Sequence, residues 1–491
     1  MYEKLRKNKD DKEQRTSKYY QNLVKMANTL QLTDKIAVVL DLGTTKIRSV
    51  AAVIDDNHKV AQIIATEETD SKGIRHGRVD NYLELDGVLK PMFNKLSNRI
   101  YNKFKSSIGD SFIGNTVEIK SVYLALGGKG ILGKEQKEAY RLNNQFVDVP
   151  VVQKIEEDIR KRVENDKEII LDMINQGYNV DDDIKMEAVG CRASNVEGRF
   201  CVVTAEKEVK ENVEQALSQI NIQLAGYSLL PFALADVMLS DADKEVGATL
   251  IDLGASSTSI AIYRDNVRRH IRVLPFGSKM ITKDIKNVCG LTAENAEKIK
   301  KSLGCAYPGG LSENVIVSVA GTDVKIQQVE LASIIEARLE ELMSYILGEM
   351  NKVNALTSSK KIVLTGRGAR LKKVCDKFTN EFGLDTEIGK IKDVCYEKYS
   401  PYFSGLDTVN GNPDKTARMM TEFAACLGVL ESCSLDSCVY VGRKESAAKT
   451  VKKTEPGEKK GFSRLVFGLF GNMAETVAVK TGTIINGTEI K

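Results

Sequence analysis

Apolar and polar positions divide the chain into short buried-strand patterns and longer amphipathic stretches. Residues 1–34 are polar and basic, an N-terminal arm with no continuous apolar block. The body opens at residue 35 with KIAVVLDLGTTK, an apolar run of strand length that breaks into a tight turn. The pattern returns at 246–258 as VGATLIDLGASST and at 361–370 as KIVLTGRGAR. Between the first two, strand spacing at 118–126 mixes with helical spacing at 151–175; from 277 to 360 the spacing is mostly helical. Regularity ends after Gly428. Residues 434–460, rich in Ser, Lys, Glu and Thr and holding Pro456-Gly457, read as a flexible basic linker. An apolar burst follows at 461–473, then a weakly patterned tail at 474–491. Three strand-then-glycine units among helical stretches predict a two-lobed α/β protein.

Composition narrows the function classes. At 491 residues the chain exceeds one compact core, which stops growing at roughly 250–300 residues. With 42% hydrophobic and 28% charged residues it is neither a disordered tail, nor a collagen, nor a polytopic membrane protein. Three scattered His argue against a His-based catalytic cluster or a multi-His metal centre. A net charge of +4 is too balanced to imply nucleic acid as a partner. The nine Cys include no Cys-x-x-Cys pair and read as reduced thiols of a cytoplasm. The charged N-terminus is no secretory signal, and no stretch approaches the roughly 18 apolar residues of a spanning helix, so membrane contact would come from the side.

The turns carry the candidate chemistry. In Asp41-Leu42-Gly43-Thr44-Thr45-Lys46, Gly43 permits a tight turn whose backbone N–H groups can cradle phosphate. Thr44 and Thr45 add hydroxyl donors, Lys46 a point charge, and Asp41 a carboxylate for a cation or its waters. Asp252-Leu253-Gly254-Ala255-Ser256 repeats the Asp-hydrophobic-Gly opening, as if two similar lobes clamped a phosphate chain between paired hairpins. The third turn, with Gly366, Arg367 and Gly368, offers a bend on which an adenosine could pack.

This three-part set resembles the actin, sugar-kinase and heat-shock-chaperone ATPase superfamily. Further segments are similar to the FtsA family of actin-like cell-division proteins: SVYLALGGK at 121–129, SKGIRHGRV at 71–79 and the strand at 361–370. The resemblance spans about 35–431 and implies an actin-like ATPase fold with an FtsA-type inserted subdomain. The implied parts are the first lobe at 35–78 and 199–243, the insertion at 79–198, the second lobe at 244–276 and 361–433, and a small helical subdomain at 277–360. It also implies ATP with Mg²⁺ as cofactors, the cation near Asp41 and Asp252. The segment 296–301 resembles the adenosine-contacting helix of the chaperone branch; Glu297 and Lys300 share one helical face there, for ribose and base.

Departures from the family pattern bear on turnover. Relatives carry a second Asp just beyond the second turn where this chain has Ser259, a Glu before Pro231 where it has Leu230, and a Gly where it has Arg367. Hydrolysis needs a metal, a positioned water and stabilised charge. The expectation is nucleotide binding with weak or absent hydrolysis.

In the burst after the linker, Phe462, Leu465, Val466 and Leu469 fall on one helical face, widened by Phe467 and Phe470. Residues 443–461 carry seven basic and three acidic side chains. A basic linker before a short aromatic amphipathic helix is the composition of an interfacial anchor for an anionic membrane. By resemblance, the protein polymerises with itself and ties an FtsZ-like tubulin homologue to the cytoplasmic face of the cell membrane at the division site. A soluble carbohydrate or acid kinase, or a pilus-assembly actin relative, shares the same nucleotide fold and is the alternative.

Overall fold

In the computed structural model, the structure describes residues 34–443 except 113–114, 319–323 and 407–408. The basic arm at 1–33, the linker from 444 on and the anchor at 461–473 lie outside the described residues.

Two sheets are built on one plan. The first orders its strands Gln223–Leu229, Ser121–Leu126, Lys35–Leu42, Lys46–Ile54 and Val60–Asp70. The first three run parallel, and the last three form an antiparallel meander. The second lobe repeats this order with Asp385–Ile388, Lys361–Thr365, Ala248–Leu253, Thr258–Arg264 and Val267–Leu274, again two parallel joins and then two antiparallel ones. Lys35–Leu42 is buried at every position after Lys35, as expected of an apolar run covered on both faces.

Helix Tyr82–Ile108 buries Leu85, Leu89, Met92, Phe93, Leu96, Ile100 and Phe104, a helical stripe, in the first core. Its start is fixed by Asn81, whose Oδ1 accepts the Glu84 N–H at 3.2 Å. Two further helices, Leu230–Met238 and Ala424–Ser432, pack on each other and against the first sheet.

Of the range 79–198 expected for the insertion, helix Tyr82–Ile108 and strand Ser121–Leu126 are thus parts of the first lobe. A separate core, including Ile155, Ile159, Tyr178, Val196 and Phe200, gathers the strands Leu132–Phe146, Glu168–Val180 and Arg192–Glu206 around helix Val149–Val163. These strands continue the second lobe's sheet: Leu132 pairs with Arg272, and the whole has nine strands.

Two expectations need correction. The helical spacing at 151–175 yields a helix only to Val163. Asn165 Oδ1 accepts the N–H groups of Lys167 and Glu168 at 2.9 and 3.0 Å, turning the chain out of the helix. Ile169 and Ile170 then pair with Ala205 and Thr204 as a strand. Residues 434–443, expected in the linker, are structured: Leu435 and Cys438 are buried, and Val439–Arg443 pairs with Asn115–Ile119. An alternation of apolar residues was hidden there in a polar average composition.

Candidate functional site

The two Asp-Leu-Gly turns have the same geometry. Asp41 stands opposite Arg48 in its hairpin, and Asp252 opposite Ser259 in the other, so 43–46 and 254–257 are equivalent turns. A Cβ on Gly43 would lie 2.6 Å from Lys46 O, and one on Gly254 2.7 Å from Ser257 O. Each turn folds back on its own carbonyl so tightly that only glycine fits at its first position.

The turns meet across the cleft. Thr44 Oγ1 lies 2.7 Å from Ser256 Oγ, which also accepts the His76 N–H at 3.1 Å, and His76 Nδ1 lies 2.7 Å from Ser256 O. The third turn closes on the second: Gly366, at φ 84°, would place a Cβ 2.3 Å from Asp252 Oδ1. A side chain there would displace that carboxylate.

Between the turns is a cavity of about 210 Å³. It is lined by Asp41, Gly43, Thr44, Thr45, Lys46, Asp252, Gly254, Ala255, Gly366 and Arg367 among the residues expected at the site. Burial pushes the Asp41 carboxyl up to about 6, against the pull of the Arg48 charge. Burial, reinforced by the negative charge of Asp41, pushes Asp252 up to about 7. Asp252 keeps some surface open and lines the cavity. Two neighbouring carboxylates that repel each other suit a cation that would bring phosphate oxygens and waters with it, as Mg²⁺ does. Among the described residues no group of three or more His, Cys, Asp and Glu forms a ready-made metal site.

Other expected residues sit differently. The Lys46 ammonium is held 2.9 Å from Asp70 and 3.2 Å from Glu68, so its charge is already engaged at the rim. Ser256 does not line the cavity; its hydroxyl joins the lobes. Glu297 and Lys300 also stand back from it. Lys300 Nζ lies 2.7 Å from Glu297 Oε2 and donates to Ser278 O at 3.0 Å and Thr282 Oγ1 at 2.8 Å. Burial draws the Lys300 pKa down despite Glu297. A small recess lined by Gly277, Ser278, Arg338 and Gly368 touches both this pair's acceptor, Ser278, and the third turn.

Sequence reasoning missed Arg48, His76, Arg370 and Glu422. Arg370 Nη2 donates to Glu422 Oε1 at 2.9 Å, tying the third turn to helix Pro413–Glu422. Arg48 was findable from the register alone, because a hairpin with this turn must set it opposite Asp41. Leu230 lines the cavity, and Ser259 is buried beside Asp252, so apolar and neutral groups occupy the positions where the resemblance led to an expectation of acids.

Two lobes of one plan, with matched turns facing a shared cavity, define an actin-like ATPase fold. The PilM–PilN type IV pilus biogenesis complex has the same fold: TM-score 0.51 and 16% identity, covering 80% of this chain and 97% of that one. The particular relationship comes from sequence. The family model of Cell division protein FtsA matches residues 249–410. Cell division protein FtsA of Bacillus subtilis (strain 168) is 28% identical over 347 residues, 69% of this chain and 74% of that protein. That of Escherichia coli (strain K12) is 25% identical over 394 residues, 76% of this chain and 90% of that protein. The chain is related to the FtsA cell-division proteins.

Proposed function

We propose that this protein binds ATP with Mg²⁺ in the cleft between its lobes, polymerises, and anchors an FtsZ-like tubulin homologue to the cytoplasmic face of the cell membrane during division. The observation that carries the nucleotide part is the pair of equivalent glycine turns facing one cavity with a carboxylate at the base of each. The cell-division part rests on the FtsA relatives. The membrane part rests on the face of Phe462, Leu465, Val466, Phe467, Leu469 and Phe470 behind a basic linker.

In this reading Gly43, Thr44, Thr45, Gly254 and Ala255 present N–H and hydroxyl donors to the phosphates. Asp41 and Asp252 would hold the cation. Mg²⁺ would supply charge neutralisation across the phosphate oxygens. Gly366, Arg367 and Gly368 border the nucleoside side, with Glu297 and Lys300 behind it. Hydrolysis is slow or absent, because Leu230 lines the cavity with hydrocarbon where an acid would orient a water. The nucleotide then acts as a staple that stabilises the closed form by linkage.

Two measurements test this. Purified protein should bind ATP and release phosphate little above background, and a fluorescent fusion should form a midcell band in dividing cells. Steady-state turnover like that of a kinase, with diffuse fluorescence, would support the metabolic-kinase alternative instead.

A further inference from the structure

Positive charge is segregated along this chain. The whole sequence carries a net +4. Residues 1–33 alone hold eight basic and four acidic side chains, and 443–461 seven and three, so each of these segments is itself +4. Residues 462–491 add +1, which leaves −5 on the body at 34–442. Two cationic segments thus flank an acidic body.

The fold brings the two ends of that body together. Ile36 N donates to Ser437 Oγ at 3.3 Å, and Cys438 N donates to Ile36 O at 2.7 Å. The chain at 437–438 is thereby tied to the start of the strand Lys35–Leu42. From Cys438 it runs on as the five-residue strand Val439–Arg443, roughly 17 Å at about 3.3 Å per residue. The arm at 1–33 and the basic stretch from Arg443 onward therefore start from neighbouring points of the first lobe, although they adjoin opposite ends of the described chain. The body's own lysines at this edge are matched by acids: Lys35 pairs with Asp56 at 4.0 Å, and Lys120 with Glu118.

The arm also has an apolar pattern. Tyr20, Leu23, Val24, Ala27 and Leu30 recur at the spacing of one helical face, and Lys18 and Lys25 fall on the opposite one. Tyrosines, here Tyr19 and Tyr20, favour the headgroup level of a bilayer. Lys4, Arg6, Lys7 and Lys9 precede this stripe, with Glu3 the only acid among residues 1–9. A basic stretch followed by an amphipathic aromatic one is the same order of parts as in 443–473.

Resting on the membrane part of the reading above, we infer that residues 1–33 are a second membrane-binding segment, whose ligand is an anionic lipid surface. One short amphipathic segment holds a bilayer only marginally, and stable attachment takes two signals. Because both segments start from one edge of the first lobe, binding of either presents the other to the same bilayer at high effective concentration. The acidic body offers the lipid no attraction of its own, so that edge is the one turned toward the membrane.

The test is co-sedimentation of the full-length protein with phosphatidylcholine vesicles, with and without phosphatidylglycerol. Two arm variants are compared with the wild type. One carries Lys4→Gln, Arg6→Gln, Lys7→Gln and Lys9→Gln together; the other carries Leu23→Asp and Val24→Asp. Each should weaken binding to the anionic vesicles by about tenfold or more, and the glutamine variant should bind pure phosphatidylcholine as the wild type does. Circular dichroism melts check that both remain folded. If both arm variants bind anionic vesicles like the wild type while Phe467→Asp with Leu469→Asp releases the protein, the arm assignment is overturned and the C-terminal anchor stands. Unchanged vesicle binding with a lowered melting temperature would overturn it too, by showing that the arm packs on its own body. An equal loss by the glutamine variant on pure phosphatidylcholine would overturn the anionic lipid as ligand. If the wild type binds neither kind of vesicle, the membrane reading itself falls, and the second segment with it.

Discussion

A Cβ placed on Gly428 would lie 1.9 Å from the carbonyl oxygen of Ala233. The helices Ala424–Ser432 and Leu230–Met238 therefore touch backbone to backbone at that point. Their contact lies beneath the cavity, since Leu230 and Ala425 both line it. Gly428→Ala should force the helices apart and cost about 1–3 kcal/mol, the usual range for overpacking. Thermal unfolding should show the loss, and an unchanged melting temperature would mean the crossing is looser than described.

The matched turns make a paired prediction. Gly43→Val and Gly254→Val each drive a side chain into the carbonyl three residues on, at Lys46 and Ser257. Both should abolish ATP binding by calorimetry, because both lobes' turns must approach the phosphates. Loss in one variant with full binding in the other would break the equivalence.

Acid stability tests the buried network around Glu349. Its carboxylate accepts from His270 Nε2 at 3.1 Å and from Lys352 at 2.8 Å. Burial pushes its pKa up, but those hydrogen bonds and the charges of Lys352 and Arg272 outweigh it and hold the carboxyl at about 2, below the ordinary 4.5. A depressed folded pKa stabilises fully above the unfolded value and is lost as pH falls toward about 2. Glu349→Gln should therefore destabilise by roughly 3 kcal/mol at neutral pH, and the gap from wild type should close between pH 4.5 and 2 in denaturant melts. A pH-independent gap would assign the effect to packing.

The insertion can be cut in two ways. Removing 79–198 takes away helix Tyr82–Ile108 and strand Ser121–Leu126, so the product should be insoluble. Replacing 133–205 with a short glycine linker spares the first sheet and should leave ATP binding intact while altering filament formation, visible by electron microscopy. Equal solubility of the two products would contradict the assignment of that helix to the first lobe.

For the membrane segment, changing Phe467 and Leu469 together to Asp should release the protein from anionic vesicles without affecting ATP binding. High salt should release the wild type only partly, since the apolar contribution is not screened. Undiminished co-sedimentation of the double variant would exclude this segment as the anchor.

What could be read in advance follows from the range of each interaction. The turns were legible because strand, carboxylate and glycine are adjacent in sequence. The ion pairs of Lys46 were not legible because Glu68 and Asp70, its partners, arrive on the neighbouring strand, Val60–Asp70. Glu422 reaches the same cavity only through tertiary packing. The strand at Glu168–Val180 was hidden because its apolar residues also satisfy a helical spacing until Asn165 is recognised as a turn.

The nine-stranded sheet separates chain order from mechanical order. The insertion is threaded between elements of the first lobe, yet its strand Leu132–Phe146 joins the sheet of the second at Leu132, with Gln176 Nε2 also donating to Arg268 O at 2.8 Å and Val273 N to Ile131 O at 3.0 Å. Any opening of the cleft must either carry the insertion along with the second lobe or shear that seam. The far end, where Phe146, Ile184 and Val189 stand exposed, then swings like the tip of a pointer, turning a small rotation at the phosphates into a larger displacement at the surface.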